Sequence, residues 1–167
     1  MNSRGFSLIE LIVVMALIGI LLTLATLNFS TWQRKAQVER QVKEMYADIQ
    51  NARSQAAFTK QRQAVVFGAQ KLTFRRYSTS NDAAGTTVTV KNLPLPFTRT
   101  GWNQPAPDTI LFDTRGIMTD PLFIKVICIS TDVDAAYDAL IISGAITTMG
   151  KVTNRGTACG QNNVTQK

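Results

Sequence analysis

The sequence contains no histidine among its 167 residues. Histidine is the usual base beside a nucleophilic serine or cysteine and a common metal ligand. Its absence therefore excludes serine–histidine and cysteine–histidine nucleophile pairs and the H-E-x-x-H metal site. Carboxylates alone can perform acid–base chemistry, but no pair of them here has a spacing that indicates it. We expect a protein that is not an enzyme, with no catalytic residue, no cofactor and no metal site.

The sequence also lacks any run of four or more basic residues, although its formal net charge is +7. A scattered positive charge favours anionic partners such as lipid headgroups, nucleic acid or acidic protein surfaces, but it identifies none of them. The simpler interpretation is a solvated basic surface.

Charge is almost absent from one end of the chain. Between Phe6 and Leu27 the only charged residue is Glu10, whereas residues 33–62 are rich in lysine, arginine and glutamate. A helix over residues 6–27 would be about 33 Å long, enough to cross the hydrocarbon core of a bilayer. The apolar run is longer than that of a cleaved secretory signal, and no small-x-small cleavage site lies near its end. We predict a membrane anchor.

Glu10 is the informative residue of this segment. A carboxylate inside a membrane-spanning helix costs about 2–4 kcal/mol or more, so such a residue is usually paired and functional. Glu10 lies four residues after Phe6, which is about 6 Å along a helix axis. If the chain begins at Phe6, the new amine and the carboxylate carry opposite charges at similar depth, within one chain or between neighbours. The simpler alternative is that Glu10 extends to the lipid headgroups.

The residues around Glu10 resemble the class III signal of type IV prepilins and secretion pseudopilins. Residues 4–10 read Arg-Gly-Phe-Ser-Leu-Ile-Glu and run directly into the apolar stretch. In that family a prepilin peptidase cleaves after the glycine and N-methylates the following phenylalanine. The resemblance implies that residues 1–5 are a leader, that cleavage follows Gly5, that Phe6 is the methylated N-terminus, and that Glu10 guides assembly.

The same resemblance implies the partners and the location of the chain. The partners are the prepilin peptidase, other pilin or pseudopilin subunits that pack through the N-terminal helix, and inner-membrane lipid before assembly. Arg4 lies on the leader side and biases that end toward the cytoplasm, which leaves the C-terminal head in the periplasm. We therefore expect a single-pass protein of the bacterial inner membrane that later joins a pilus or pseudopilus.

The helix pattern continues beyond the anchor. No proline or glycine falls between Gly19 and Gly68, and from Val38 to Ala56 apolar residues recur at 4-3-4-3-4 spacing. This spacing predicts one apolar stripe on a helix that runs from about residue 6 to about residue 60. The anchor would cover residues 6–27 and an amphipathic stalk residues 28–62. Because the stripe ends in small residues, it suits packing on a sheet of the same chain better than a coiled coil.

After residue 62 the hydrophobic period changes toward two, which is typical of strands. Turn signals separate seven candidate strands, at residues 64–67, 72–77, 86–91, 109–113, 123–129, 139–143 and 146–152. A long helix followed by short strands indicates an α+β fold in which the helix packs on an antiparallel β-sheet. Residues 63–167 would form the periplasmic, β-rich head.

Part of the head resembles the GspH/FimT pseudopilins and minor pilins. In those proteins a strand ends in a Phe-x-x-x-Gly turn, which residues 112–116 (Phe-Asp-Thr-Arg-Gly) match, and a later strand leads into a Gly-Arg type turn, where this chain has Gly150-Lys151. The resemblance implies a structural minor pilin of a type IV pilus, in the filament or in its tip or priming complex. The alternatives are an H-type pseudopilin of a type II secretion system and a DNA-binding minor pilin for natural competence.

For DNA, the relevant residues are Lys151 and Arg155. DNA-binding relatives use a basic Gly-Arg-x-Arg stretch near this place, and the spacing of the two basic residues here departs from it. Aromatic residues that could stack on single strands are not interleaved with them. DNA therefore remains a partner suggested by the resemblance alone.

Cys128 and Cys159 are the only cysteines. An even pair in a domain outside the cytoplasm is most simply a disulfide. It would close a loop of about 30 residues and stabilise the fold by about 3–4 kcal/mol in the chain-entropy model. A buried thiol and an intermolecular bridge are the alternatives. The family resemblance also implies a C-terminal disulfide.

Three aspartates, Asp132, Asp134 and Asp138, lie close enough in the sequence to suggest a calcium site. The segment lacks the glycine and the distal bidentate glutamate of an EF-hand loop. An acidic loop is the better interpretation, in line with the expectation of no metal.

Overall fold

The computed structural model describes residues 7–79, 82–102, 108–120, 124–129, 133–154, 156 and 159–166, with the backbone alone for residues 24–28. Gly5, Phe6, Asp132 and Arg155 lie outside these ranges. The chain divides into two units, Met1–Arg34 and Lys35–Lys167. Each unit is considered by itself.

The first element is a helix, α1, over Leu8–Thr59, which contributes residues to both units. It ends where Lys60 adopts the left-handed conformation, with φ of 56°, which interrupts the helical hydrogen-bonding pattern. The prediction of one helix from about residue 6 to about residue 60 agrees with these bounds.

In the second unit, strands of two antiparallel sheets follow the helix. The first sheet has the order β3-β2-β1-β5 and contains β1 (Arg62–Phe67), β2 (Lys71–Tyr77), β3 (Thr86–Asn92) and β5 (Asp108–Phe112). The second sheet has the order β4-β6-β7-β8-β9. Its strands are β4 (Phe97–Thr100), β6 (Lys125–Ile129), β7 (Ala139–Ile142), β8 (Thr147–Val152) and β9 (Val164–Gln166), and a 3-10 helix, Gln161–Asn163, precedes β9.

The predicted α+β class is confirmed, and the strands divide between two sheets where the sequence suggested one. Each of the seven predicted strands overlaps an observed strand, although the start of the predicted strand 123–129 lies outside the described residues. The strands β4 and β9 were not predicted. Both are short, with four and three residues, so they carry too few alternations to produce a period-two signal.

The predicted apolar stripe forms the centre of the core. Its six residues have at most 7% of their surface exposed: Val38, Val42, Met45, Ile49, Ala52 and Ala56. They pack with Phe67, Ile110 and Phe112 of the first sheet and with Ile127, Leu140 and Ile142 of the second. The stalk of α1 therefore packs on sheets of its own chain, as predicted. Trp32, in the first unit, is 63% exposed and contacts Phe29 instead.

The turn predicted at residues 112–116 closes against α1. One carboxylate oxygen of Asp113 accepts hydrogen bonds from the backbone N–H groups of Arg115 and Ile117, both at 2.9 Å. Gly116 has φ of 78°, and a Cβ atom there would lie 2.7 Å from the carbonyl oxygen of Arg53. The glycine of the motif is therefore required both by the backbone conformation and by the close approach to the helix.

Candidate functional site

The N-terminal part of α1 exposes apolar side chains on every side. Between residues 8 and 22 the exposed fraction of the large apolar side chains ranges from 43% for Val14 to 76% for Leu8. A helix that is apolar all round needs an apolar environment around its whole circumference. The Thr23 hydroxyl donates within the helix, to the carbonyl oxygen of Gly19 at 2.8 Å.

Glu10 is the one charged residue of this surface. It lies in the first turn of α1 and is exposed. A carboxylate at this end of a helix is favoured by the unpaired N–H groups and by the positive end of the helix dipole. Glu10 takes part in none of the ion pairs found among the described residues. Its carboxylate is therefore available to a group outside the described part of this chain.

The predicted processing site, Gly5 and Phe6, lies outside the described residues, so its cleavage and methylation remain predictions. Among the residues that the structure describes, no helix is both long enough and apolar enough to cross a membrane. The predicted anchor, residues 6–27, extends at both ends beyond the side chains that the structure describes.

The predicted disulfide is confirmed. Cys128 on β6 is bonded to Cys159, with 5.9 Å between the two Cα atoms. Cys159 also accepts a hydrogen bond at its carbonyl oxygen from the Thr100 hydroxyl of β4. Both cysteines belong to a second apolar cluster, separate from the core under α1, formed with Ile124, Val126, Ala139, Ile141, Val152 and Val164. The bridge thus holds the C-terminal segment to the second sheet.

Of the two basic residues suggested for DNA binding, the structure describes only Lys151. Arg155 lies outside the described residues. Lys151 and Gly150 lie within β8, paired with Thr165 and Gln166 of β9, rather than in a turn as the resemblance implied. The Lys151 ammonium is 2.8 Å from a carboxylate oxygen of Asp134, so its charge is locally balanced.

The acidic residues considered for calcium have separate structural roles. Asp138 is fully buried, and its carboxylate accepts the backbone N–H of Val152 at 2.6 Å. Asp134 forms the ion pair with Lys151. No group of three or more potential ligands comes together in the described part of the chain.

A groove in the second unit was not predicted from the sequence. It has a volume of about 370 Å³. A face of α1 forms one side, β1 and β2 form the floor, and β3 forms the other side. The lining residues are Asp48, Asn51, Ala52, Gln55, Gln63, Phe74, Arg76 and residues 88–91. The threonine–valine alternation of β3 predicted a strand but did not reveal that it lies at a sheet edge beside the helix.

Comparison with protein families and with curated proteins gives two findings. Residues 1–26 match the family model described as the prokaryotic N-terminal methylation motif. No curated protein matches the chain.

Among solved structures, the chain is similar to the type IV minor pilin FimU of Pseudomonas aeruginosa in two crystal forms. The first is 12% identical, with a TM-score of 0.53 over 78% of this chain and 97% of that chain. The second is 18% identical, with a TM-score of 0.51 over 74% of this chain and 97% of that chain. At these identities the likeness is one of fold.

Proposed function

The chain is type IV pilin-like in its N-terminal motif and in its fold, and on that premise we propose that it is a structural minor pilin of a type IV pilus. A prepilin peptidase removes residues 1–5 and methylates the amine of Phe6. The subunit then resides in the inner membrane, with its head in the periplasm, until it joins the filament or its tip or priming complex. The observation that carries the proposal is the all-round exposed apolar surface of residues 8–22, interrupted only by Glu10.

This surface explains why a cleaved subunit is not released. Lipid tails surround the apolar helix before assembly, and the corresponding helices of other subunits surround it in the filament. Because both environments are apolar, the hydrophobic effect distinguishes weakly between them and sets no register. A charged pair can set the register, because a carboxylate in an apolar medium must find a partner. We assign that role to Glu10 and to the Phe6 amine of a neighbouring subunit.

The head has a structural role in this proposal. It is folded around its own core under α1 and is held at its C-terminus by the Cys128–Cys159 bridge. The two catalytic nucleophile systems that require histidine are excluded by the sequence. Function therefore depends on which surfaces the chain presents to other subunits.

The mature N-terminus tests the processing step. Mass spectrometry of the chain isolated from its native host is expected to find an N-terminal peptide that begins at a methylated Phe6. A Gly5→Ala variant is the matched control and should retain residues 1–5 in the same membrane fraction. A wild-type chain that still begins at Met1, or one cut at another position, would contradict the proposal.

Assembly separates the pilus from the alternatives. In a strain lacking this chain, loss of surface filaments with normal protein secretion is expected. Normal surface filaments with a loss of protein secretion would favour an H-type pseudopilin.

DNA binding is tested by a gel-shift titration of the detergent-solubilised chain at low salt, because contacts to phosphates weaken as salt rises. A salt-dependent shift abolished by Lys151→Ala would favour the DNA-binding alternative.

A further inference from the structure

Among the residues that the structure describes, β3 pairs only with β2, so its other edge is free. Among the described strands at sheet edges, β3 has seven residues, whereas β5, β4 and β9 have five, four and three. β3 reads Thr-Thr-Val-Thr-Val-Lys-Asn and contains no proline. Exposed edges are usually blocked by outward lysines, prolines or bulges, because their unpaired backbone groups can pair with another chain. The one lysine of β3 points instead toward α1, where it is 2.7 Å from Asp48.

The register identifies the backbone groups that face outward. The N–H of Leu93 donates to the carbonyl oxygen of Gln70 at 2.8 Å. The next pairs along the two strands are Lys71 with Asn92, Leu72 with Lys91, Thr73 with Val90 and Phe74 with Thr89. Since hydrogen-bonded and non-hydrogen-bonded pairs alternate in an antiparallel ladder, Lys91 and Thr89 bond to β2. Val90 and Asn92 therefore direct their N–H and C=O groups away from the sheet.

A bulge limits this edge at its other end. The register shifts between Phe74 and Arg75, which leaves Val88 as the extra residue of β3. A bulge twists the strand and ends regular pairing. The regular free edge is therefore Thr89–Asn92, long enough to pair with a short extended segment.

The groove beside this edge offers apolar surface to side chains. Val88 lines the groove and is 52% exposed, and Phe74 contributes to the floor. Val90 is 53% exposed, but its side chain points to the sheet face opposite to that of Lys91, which faces α1. On the helix, Phe58 is 89% exposed. It lies three residues after Gln55 and therefore on the same face of α1 as the lining residues. Ile146 is the remaining large apolar residue found exposed in the described part of the second unit.

The groove carries one uncompensated positive charge. Lys91 is balanced by Asp48 at 2.7 Å and by Glu44 at 3.8 Å, and Glu44 also pairs with Arg40. Arg76 lines the groove, is exposed, and has no ion pair with any other described residue. A ligand with a carboxylate near Arg76 would complete the charge balance.

We propose that this groove binds an extended, acidic peptide segment of another protein, which adds a strand to the free edge of β3. The backbone of Val90 and Asn92 hydrogen-bonds to the segment, as in other cases of strand addition. On the α1 side of the sheet, one apolar side chain of the segment lies beside Val88, and a carboxylate extends across β3 toward Arg76. The site lies wholly in the second unit and does not depend on the proposed pilin role.

The test measures binding of defined peptides to the full chain in detergent micelles. The probe is a capped heptapeptide of alternating threonine and valine with a central glutamate, carrying a zwitterionic rhodamine dye. A second peptide has lysine in place of glutamate, and a third has proline, which cannot continue a strand. Fluorescence anisotropy gives each dissociation constant, and empty micelles correct for partitioning of the peptide into detergent. The glutamate peptide is expected to bind at least about fivefold more tightly than the lysine peptide.

Two variants test the charge and the edge separately. Arg76→Glu is expected to invert the preference, so that the lysine peptide binds more tightly. Val90→Pro removes one outward N–H while leaving the hydrogen bonds to β2, and should weaken binding of the glutamate peptide about fivefold. Ile146→Ser is the matched control, since it alters an apolar side chain of similar exposure outside the groove. It should leave binding unchanged.

Several outcomes would overturn the proposal. They are no binding of the glutamate peptide at up to about 1 mM, equal affinity for the glutamate and lysine peptides, and equal loss of binding in Ile146→Ser and Val90→Pro. If the thermal midpoint of Val90→Pro shows that the variant does not fold, the charge swap at Arg76 decides alone. Failure here leaves the N-terminal processing of the chain untouched, so the two proposals can fail independently.

Discussion

At the scale of single residues, buried polar groups determine where α1 meets the segment that connects the two sheets. Gln41 is 1% exposed, and its side-chain amide bonds twice to Leu95: it donates to the carbonyl oxygen and accepts the N–H, each at 2.8 Å. Leu95 lies between β3 of the first sheet and β4 of the second. One amide therefore pairs both backbone groups of a residue in the crossover, groups that would otherwise be costly to bury.

Gln41→Leu is expected to destabilise the fold by about 2–4 kcal/mol, because it keeps a similar volume but leaves the two backbone groups of Leu95 without a partner. Urea unfolding of the detergent-solubilised chain, followed by tryptophan fluorescence, measures the change. Gln37→Leu is the control, because Gln37 lies one turn earlier on the same helix and is exposed. Equal midpoints for the two variants would show that the Gln41–Leu95 pair contributes nothing to stability.

Glu10 is the residue on which the assembly hypothesis depends. Glu10→Ala and Glu10→Gln are expected to leave the precursor in the membrane, since neither change makes α1 less apolar. Surface filament should fall by about 10–100-fold, the range for losing a hydrogen bond to a charged group. Immunoblots of sheared surface fractions and of membranes measure both quantities. Filament at wild-type levels in the Glu10→Ala strain would refute the register role.

At the scale of elements, the C-terminal segment illustrates how a short strand is maintained. β9 has three residues and pairs only with β8 among the described strands. Three residues cannot form a stable strand alone. The segment is held additionally by the Cys128–Cys159 bridge and by the apolar contacts of Val164. A covalent bond to β6 thus substitutes for the length that β9 lacks.

Replacing both cysteines by serine is expected to destabilise the second unit by about 3–4 kcal/mol, since the bridge no longer restricts the unfolded chain. The midpoint of urea unfolding with and without reductant measures this. Reductant should lower the midpoint of the wild type to near that of the double variant and leave the double variant unchanged. A double variant as stable as the oxidised wild type would contradict the prediction.

Element type was largely predictable, and sheet membership was not. The long apolar period of α1 and the alternation in β2 are local patterns, so they are visible in the sequence. Pairing partners depend on contacts between residues far apart, such as Val65 of β1 with Ile110 of β5. The edge position of β3, and with it the groove, therefore could not be read from its alternation of threonine and valine.

At the scale of the whole molecule, Arg53 is where helix and both sheets meet. Its guanidinium donates to the carbonyl oxygen of Ser143 at 3.3 Å and to the hydroxyl of Thr147 at 3.2 Å, at the second sheet. It also lies over the ring of Phe112 in the first sheet, 5.2 Å from the ring centre. Burial lowers the pKa of Arg53, because desolvation disfavours the charged form. The carbonyl and the aromatic face compensate part of that cost.

Arg53→Ala is expected to destabilise the fold by about 2–4 kcal/mol, through lost packing on Phe112 and unpaired groups in the second sheet. Arg40→Ala is the control on the same helix. The Arg40 side chain is 80% exposed and pairs with Glu44, so its loss should shift the midpoint far less than the loss of Arg53. Calorimetric midpoints of the two variants measure the difference. Equal shifts would show that Arg53 does not couple the sheets.

The sequence by itself determined the anchor-like apolar segment, the position of Glu10, the stripe from Val38 to Ala56 and the α+β class. These features follow from the order and the spacing of residues along the chain, so they can be read without knowledge of the fold. Glu44 and Asp48 lie four residues apart, so their like charges repel each other across one turn of α1.

Only the tertiary structure decided how that repulsion is resolved. Lys91, more than forty residues away in the sequence, lies 3.8 Å from Glu44 and 2.7 Å from Asp48. The tertiary structure also places the edge of β3 beside the helix, divides the strands between two sheets and brings Cys159 to Cys128. Each of these results depends on distances between residues remote in the chain, and such distances are set by packing of the core rather than by local pattern.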